Sequence, residues 1–144
     1  MALHNPTGTN GFAFLEFTTI DPVKLKNQFE SMGFIPIAKH KNHDATIYQQ
    51  NNIFFYLNVA ANTHAARFAE LHGPSVSAMG FRVQDAKAAQ QHAVKQGAIA
   101  YQPKDEQVVY DMPAIYGVGN SLIYFIENDP LSSNDENAFF TFFS

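Results

Sequence analysis

The chain has 144 residues, a net charge of −4, 46% hydrophobic and 15% charged residues, which fits one folded domain and not a disordered segment. Its Lys and Arg residues form no run, so there is no electrostatic footprint for nucleic acid, and no apolar stretch approaches the roughly 18 residues of a membrane span. With no Cys, no Trp and 14 Phe, it has neither disulfides nor thiolate chemistry. The start lacks the basic and apolar regions of a signal peptide, and a cytoplasmic location is the expectation.

Residues 1–11 are polar with Pro6 and two glycines and read as an arm. Phe12–Thr18 reads as a strand. Asp21 is an N-cap acceptor, Pro22 suits the first helical position, and Leu25, Phe29 and Met32 form one apolar stripe that Gly33 ends. Strand-like runs follow at 34–41, 45–50 and 53–59, separated by polar turns. Residues 62–72 predict a short helix carrying Ala65, Phe68 and Leu71, stopped by Gly73 and Pro74. A strand over 76–83 and a helix capped by Asp85, carrying Ala86, Ala89 and Ala93 and ended by Gly97, repeat the opening pattern. Further strands are expected near 98–102, 107–112 and 121–127.

The repetition has a fixed spacing. Phe17, Asp21 and Gly33 recur as Phe81, Asp85 and Gly97, each 64 residues later, and such self-similarity marks a duplicated unit. The expected organisation is an arm (1–11), a first βαβββ module (12–61), a linking helix (62–74), a second βαβββ module (75–129) and a Phe-rich tail (130–144). Two such modules in tandem pack their sheets around a shared cleft with helices outside, an α+β fold. The tail, with four Phe in six residues, reads either as a segment folded back on the body or as an aromatic dimer contact.

Alternation assigns faces. Phe14, Glu16 and Thr18 point into the cleft, as do Ala78, Gly80 and Arg82 on the second copy, while Phe17, Phe81 and Val83 pack under helices. On the last strands Phe54, Tyr56, Asn58, Leu122, Tyr124 and Ile126 face in. The candidate ligand-binding cleft is therefore Phe14, Glu16, Phe54, Tyr56, Arg82 and Tyr124, an aromatic pocket with one acid and one base. Arg82 as carboxylate anchor with Glu16 as general base is one role for the pair. An ion pair bridging the modules is the other, and the one taken here. His40 and His43 flank a turn and read as solvated; His72 suits the C-terminal dipole of its helix; His4, His64 and His92 read as exposed. Ser75, Ser77 and Ser121 lie in no nucleophile elbow, and Gly117-Val118-Gly119 precedes a strand, unlike a phosphate loop.

The strand, Asp-cap, helix and Gly signature of the two units resembles the vicinal oxygen chelate superfamily of glyoxalase I, extradiol dioxygenases and bleomycin-resistance proteins. Over about residues 5–128, NPTGTNGFAFLEFTTIDP, FESMGF, AKHKNHDATIYQQNNIFFYLN, AELHGPSVSAMGFRVQDAKAA and MPAIYGVGNSLIYFIE together resemble the N-terminal half of bacterial 4-hydroxyphenylpyruvate dioxygenases, with hydroxymandelate synthase sharing that architecture. The resemblance implies tyrosine breakdown by a non-haem Fe(II) enzyme whose two His and one Glu lie in a C-terminal half. It also puts the superfamily's ligand positions at Phe14, Ala78, Tyr56 and Tyr124. None is His or a carboxylate, so the cleft is read as metal-free and without catalytic residues. The resemblance, taken with these residues, implies three candidate functions. The leading one is an N-terminal scaffold that packs against a C-terminal catalytic domain or a second copy, inactive alone. The second is a metal-free protein binding a small aromatic ligand, and the third a metalloenzyme completed by another chain.

Overall fold

A computed structural model describes residues 5–127 and 139–143. In chain order the elements are β1 (Thr9–Thr18), α1 (Pro22–Ser31), β2 (Ile35–His40), β3 (Ala45–Gln50), β4 (Ile53–Asn58), α2 (His64–His72), β5 (Ser75–Val83), α3 (Ala86–Lys95), β6 (Ala114–Tyr116), β7 (Leu122–Ile126) and β8 (Phe140–Phe142). The described strands form one sheet in the order β6-β7-β5-β1-β4-β3-β2-β8. The duplication sits at its centre. β1 and β5 run antiparallel, with Leu15 opposite Met79, and each has a parallel neighbour from its own copy: Leu15 opposite Phe55 on β4, Gly80 opposite Tyr124 on β7.

The two repeated helices, α1 and α3, start where an aspartate accepts a backbone N–H: Asp21 from Lys24 at 3.4 Å and Asp85 from Ala88 at 3.0 Å. Gly33 and Gly97 take φ of 98° and 107° just past the helix ends, a conformation that favours glycine. α1 sets Phe29 among Phe17, Phe34, Tyr48, Phe55 and Leu57 on the outer face. α3 packs through small residues, Ala86 and Ala89 against Val83 and Phe125. On the opposite face a single cluster draws Phe14, Ala38, Tyr56, Ala78, Tyr110, Tyr124 and Phe140 together from strands along the whole sheet, so the sheet curls around it. Phe14, Glu16 and Thr18 on β1 and Leu122, Tyr124 and Ile126 on β7 are buried at alternate positions, whereas on β5 Ser77 breaks the alternation and is buried beside Ala78.

Four elements differ from expectation. β1 begins inside the arm, at Thr9, opposite Val83. The strand expected at 98–102 reduces to a single bridge between Ala100 and Ile115, and the edge strand is Ala114–Tyr116 instead. Residues 107–112 form no strand. Val109 and Tyr110 are both buried, consecutive and not alternating, because the segment is drawn across the inner face by Gln107 N–H donating to the Asn62 carbonyl at 2.7 Å and by the Val109 carbonyl accepting from His40 Nε2 at 2.7 Å. On α2 the buried face is Ala65 and Ala69, whereas Leu71 is 79% exposed. The Ala65 carbonyl accepts from Thr18 Oγ1 at 2.9 Å, which fixes that face on β1.

The tail folds back. β8 adds to the free edge of β2, antiparallel, with His40 opposite Phe140 and Ala38 opposite Phe142. The rest of the tail expectation, residues 130–138 and Ser144, lies outside the described residues, as does His4. No helix among the described residues is long and apolar enough to cross a membrane.

Candidate functional site

The inner face is floored by aromatic rings. Phe14 is fully buried and stacks on Tyr56 with ring centroids 4.0 Å apart, and Tyr110 and Tyr124 lie 6.1 and 6.2 Å from it. Gly80, opposite Phe14 across the β1–β5 pair, lets the ring lie flat; any side chain there overlaps it. Phe54 is half-buried against the same cluster. Four of the six predicted cleft residues, Phe14, Glu16, Tyr56 and Tyr124, are thus brought together at the centre, with Phe54 at the side.

Glu16 is fully buried among them. Its Oε1 accepts from Ser77 Oγ at 2.6 Å and its Oε2 from Asn58 Nδ2 at 3.1 Å, while Asn58 Oδ1 is held by Ala60 N–H at 3.1 Å. Ser77 is turned inward by a register shift: Glu16 pairs with Ala78 and Phe17 with Val76, which leaves Ser77 as the extra residue of a bulge. Burial pushes the Glu16 carboxyl up, against the lowering pull of Ser77 and Asn58. The Tyr110 hydroxyl lies close enough to interact with this carboxyl, yet it is buried without a hydrogen bond of ordinary geometry. Burial and then the Glu16 charge hold Tyr110 and Tyr124 well above the usual phenol range. Tyr101 is pushed up to about 12, chiefly by burial.

Arg82 does not join this acid. Its guanidinium donates to the Phe12 carbonyl at 3.1 Å in a partly exposed position, and no Glu16–Arg82 ion pair forms. The inward parity of β5 runs unbroken from Ala78 to Arg82 beside β7, but Glu16 stands opposite Ala78, four residues along the strand from Arg82, so the two side chains do not meet. The general-base role that needed Arg82 to anchor a carboxylate loses its anchor as well.

His40, His64 and His92 lie deeper than the sequence reading implies. His40 is buried at 7% exposure. Its Nδ1 accepts from the Asn42 and His43 amides at 3.0 and 3.1 Å, and its Nε2–H donates to Val109, so the neutral ring staples the β2–β3 turn to the crossing segment. The signal was present: His40 is two residues from Ala38, on the inward parity of β2. His64 is half-buried, donating from Nε2 to the Asn120 carbonyl at 2.7 Å, with a buried Nδ1 that has no partner among the described residues. His92 is half-buried, and His72 is exposed in the last turn of α2 as read.

Beside Glu16 a cavity of about 10 Å³ is lined by Asn58, Thr63, His64, Tyr101 and Tyr124, room for about one water. Tyr110 and Phe140 are buried in the same inner-face cluster. Phe14 and Ala78 offer a metal no donor, both Glu16 oxygens are occupied, and no group of three or more His, Cys, Asp or Glu is gathered for a metal among the described residues. These donors do not fit a two-His-one-carboxylate iron site.

The architecture and sequence match known proteins. The sheet of paired β1–β4 and β5–β7 units is that of the vicinal oxygen chelate fold. It superposes on a fusion of a xylose isomerase-like TIM barrel with 4-hydroxyphenylpyruvate dioxygenase at TM-score 0.81 and 26% identity, over 97% of this chain and 22% of that one. Methylmalonyl-CoA epimerase from Mycobacterium tuberculosis shares the fold at TM-score 0.65 and 16% identity, covering 87% of this chain and 92% of its own. The family model described as hydroxyphenylpyruvate dioxygenase, HPPD, N-terminal, matches residues 3–139, and the chain belongs to that family. It is 46% identical to 4-hydroxyphenylpyruvate dioxygenase of Legionella pneumophila over 129 residues, 90% of this chain and 37% of that protein. Protein MelA of Shewanella colwelliana is 42% identical over 95% of this chain and 38% of its own length. The chain thus spans little more than a third of the curated relatives it matches.

Proposed function

We propose that this chain is the non-catalytic N-terminal half of a 4-hydroxyphenylpyruvate dioxygenase-like enzyme of tyrosine breakdown, a cytoplasmic scaffold that packs against a C-terminal catalytic half or a second copy and is inactive alone. The observation that carries this reading is the donor set. The positions where the fold's ligands are expected hold Phe14, Ala78, Tyr56 and Tyr124, and the adjacent carboxyl of Glu16 is committed to Ser77 and Asn58. The length of the relatives beyond the matched region supports it. The alternative of an open pocket for an aromatic ligand is disfavoured by a cleft already packed with the chain's own rings.

Oxygen uptake by the purified chain with added Fe(II) and 4-hydroxyphenylpyruvate, with protein-bound iron assayed on the same sample, tests this. The expected result is uptake equal to the protein-free control and no stoichiometric iron. Uptake above the control with one iron per chain overturns the reading.

A further inference from the structure

One ring in the inner-face cluster arrives by a different route from the rest. Phe140 belongs to β8, which pairs with the sheet along the edge of β2 and follows β7 in the chain by way of residues 128–138. Of those eleven residues only Pro130, Leu131 and Ala138 are apolar. Phe140 is 3% exposed, with its ring edge-on to His40 at 5.3 Å and to Tyr56 at 5.4 Å, and near-parallel to Tyr110 at 6.2 Å. Ala38, with almost no side chain, belongs to the same buried cluster and lies two residues from His40 on β2. The rings that Phe140 meets, His40, Tyr56 and Tyr110, come from the body of the sheet and the segment crossing it, while Phe139 of the same tail stacks on His40 at 6.2 Å.

We propose that the inner face carries a binding site for one small, uncharged aromatic ring, bounded by Ala38, His40, Tyr56 and Tyr110, which this chain closes with its own Phe140. The site is ring-sized because a phenyl group fits it edge-on and face-on to three aromatic neighbours, the geometry that aromatic pairs favour. It selects against charge. Arg82 is turned away to the Phe12 carbonyl, the His40 ring is fully engaged through both nitrogens, and the nearby acid is Glu16, so among the described residues an aromatic carboxylate meets no cation there. A tethered strand of three residues is a competitor at high effective concentration, so an external ring binds weakly until β8 leaves. This inference does not depend on the scaffold reading, since the oxygen-uptake test and the test below probe different properties.

The probe is toluene, the Phe side chain as a free molecule, with benzoate as its charged counterpart. Binding is followed by NMR on the full-length chain and on full-length Phe140→Ala. The Ala variant is expected to bind one toluene at least tenfold more tightly than wild type and to show no saturable benzoate binding. In wild type, saturating toluene is expected to raise the hydrogen-exchange rates of the Lys41 and Phe143 amides, which donate to the Phe139 and Ile37 carbonyls and report β8 docking. Phe142→Ala, a change at a residue 41% exposed on the rim, should leave toluene affinity within about twofold of wild type. The proposal is overturned if folded Phe140→Ala binds no toluene, or if benzoate binds it as well as toluene does. If the Ala variant does not fold, the wild-type exchange experiment decides: toluene binding with unchanged Lys41 and Phe143 exchange, or no binding at saturation, overturns it.

Discussion

The rings of Phe14 and Tyr56 lie face to face on parallel neighbours β1 and β4, their planes 1° from parallel, with the bare backbone of Gly80 against the other side of Phe14. Three residues from three strands thus make one layer. Gly80→Ala is expected to destabilise the chain by about 1–3 kcal/mol, because the added methyl meets a buried ring and not a mobile chain end. Combining it with Phe14→Leu should recover part of that loss, and unfolding midpoints of the single and double variants measure the coupling. Strict additivity would show that the ring and the glycine do not share a layer.

Glu16 titrates against folding. Its carboxyl is raised by burial, so the native state binds its proton more tightly than the unfolded chain does. Its contribution is therefore most favourable at low pH and declines as pH rises from the unfolded value of about 4.5 toward the native one. Glu16→Gln keeps an acceptor for Asn58 and a donor for Ser77 while removing the charge. The stability difference in favour of the variant is expected to grow above about pH 4.5 and level off once wild-type Glu16 is ionised. Denaturant melts of both proteins between pH 4 and 8 check this, and a pH-independent difference would refute it. Glu16→Leu should lose about 1–3 kcal/mol for each stranded polar partner at every pH.

His40 has the opposite sign. Burial lowers its pKa, the Val109 carbonyl pulls it back up, and the His43 charge lowers it further. The neutral ring therefore stabilises the fold fully above the unfolded value of about 6.5, and that contribution is lost as pH falls through the lower native pKa. Protonation would set an Nδ1–H against two backbone donors. We expect the amides of Asn42 and His43 to shift together with the His40 ring in an NMR titration, below pH 6.5. Independent titration of the amides and the ring would count against the staple.

The helix caps offer a comparison within one molecule. Asp85 accepts at 3.0 Å and Asp21 at 3.4 Å, while α3 has a second acceptor, Glu127, whose carboxylate takes the Ala86 N–H at 2.6 Å. Asp85→Ala alone should cost about 1 kcal/mol. Adding Glu127→Ala should cost more than the sum of the two single changes, since both serve the same first turn. Thermal unfolding of the three variants measures it.

Much of this arrangement was written locally. The Phe-Asp-Gly spacing placed two strands and two helices, and period-two alternation put Phe14, Glu16, Tyr56 and Tyr124 on one face. What could not be read depended on shifts in register. Ser77 reaches Glu16 because of a bulge, and Arg82 misses it because the cross-strand register sets Ala78 opposite Glu16. A sequence carries no mark of either. Val109 and Tyr110 look like strand residues until the distant His40 claims the Val109 carbonyl. Nor does a Phe-rich tail say which open edge it will take.

The central β1–β5 pairing also governs how the chain must fold. Leu15 pairs with Phe55 on one side and Met79 on the other, so β1 is flanked on both edges only once the chain has been synthesised through β5. Such distant partners make for slow folding. Until β5 arrives, β1 presents an open, apolar edge, the kind of surface on which nascent chains find one another.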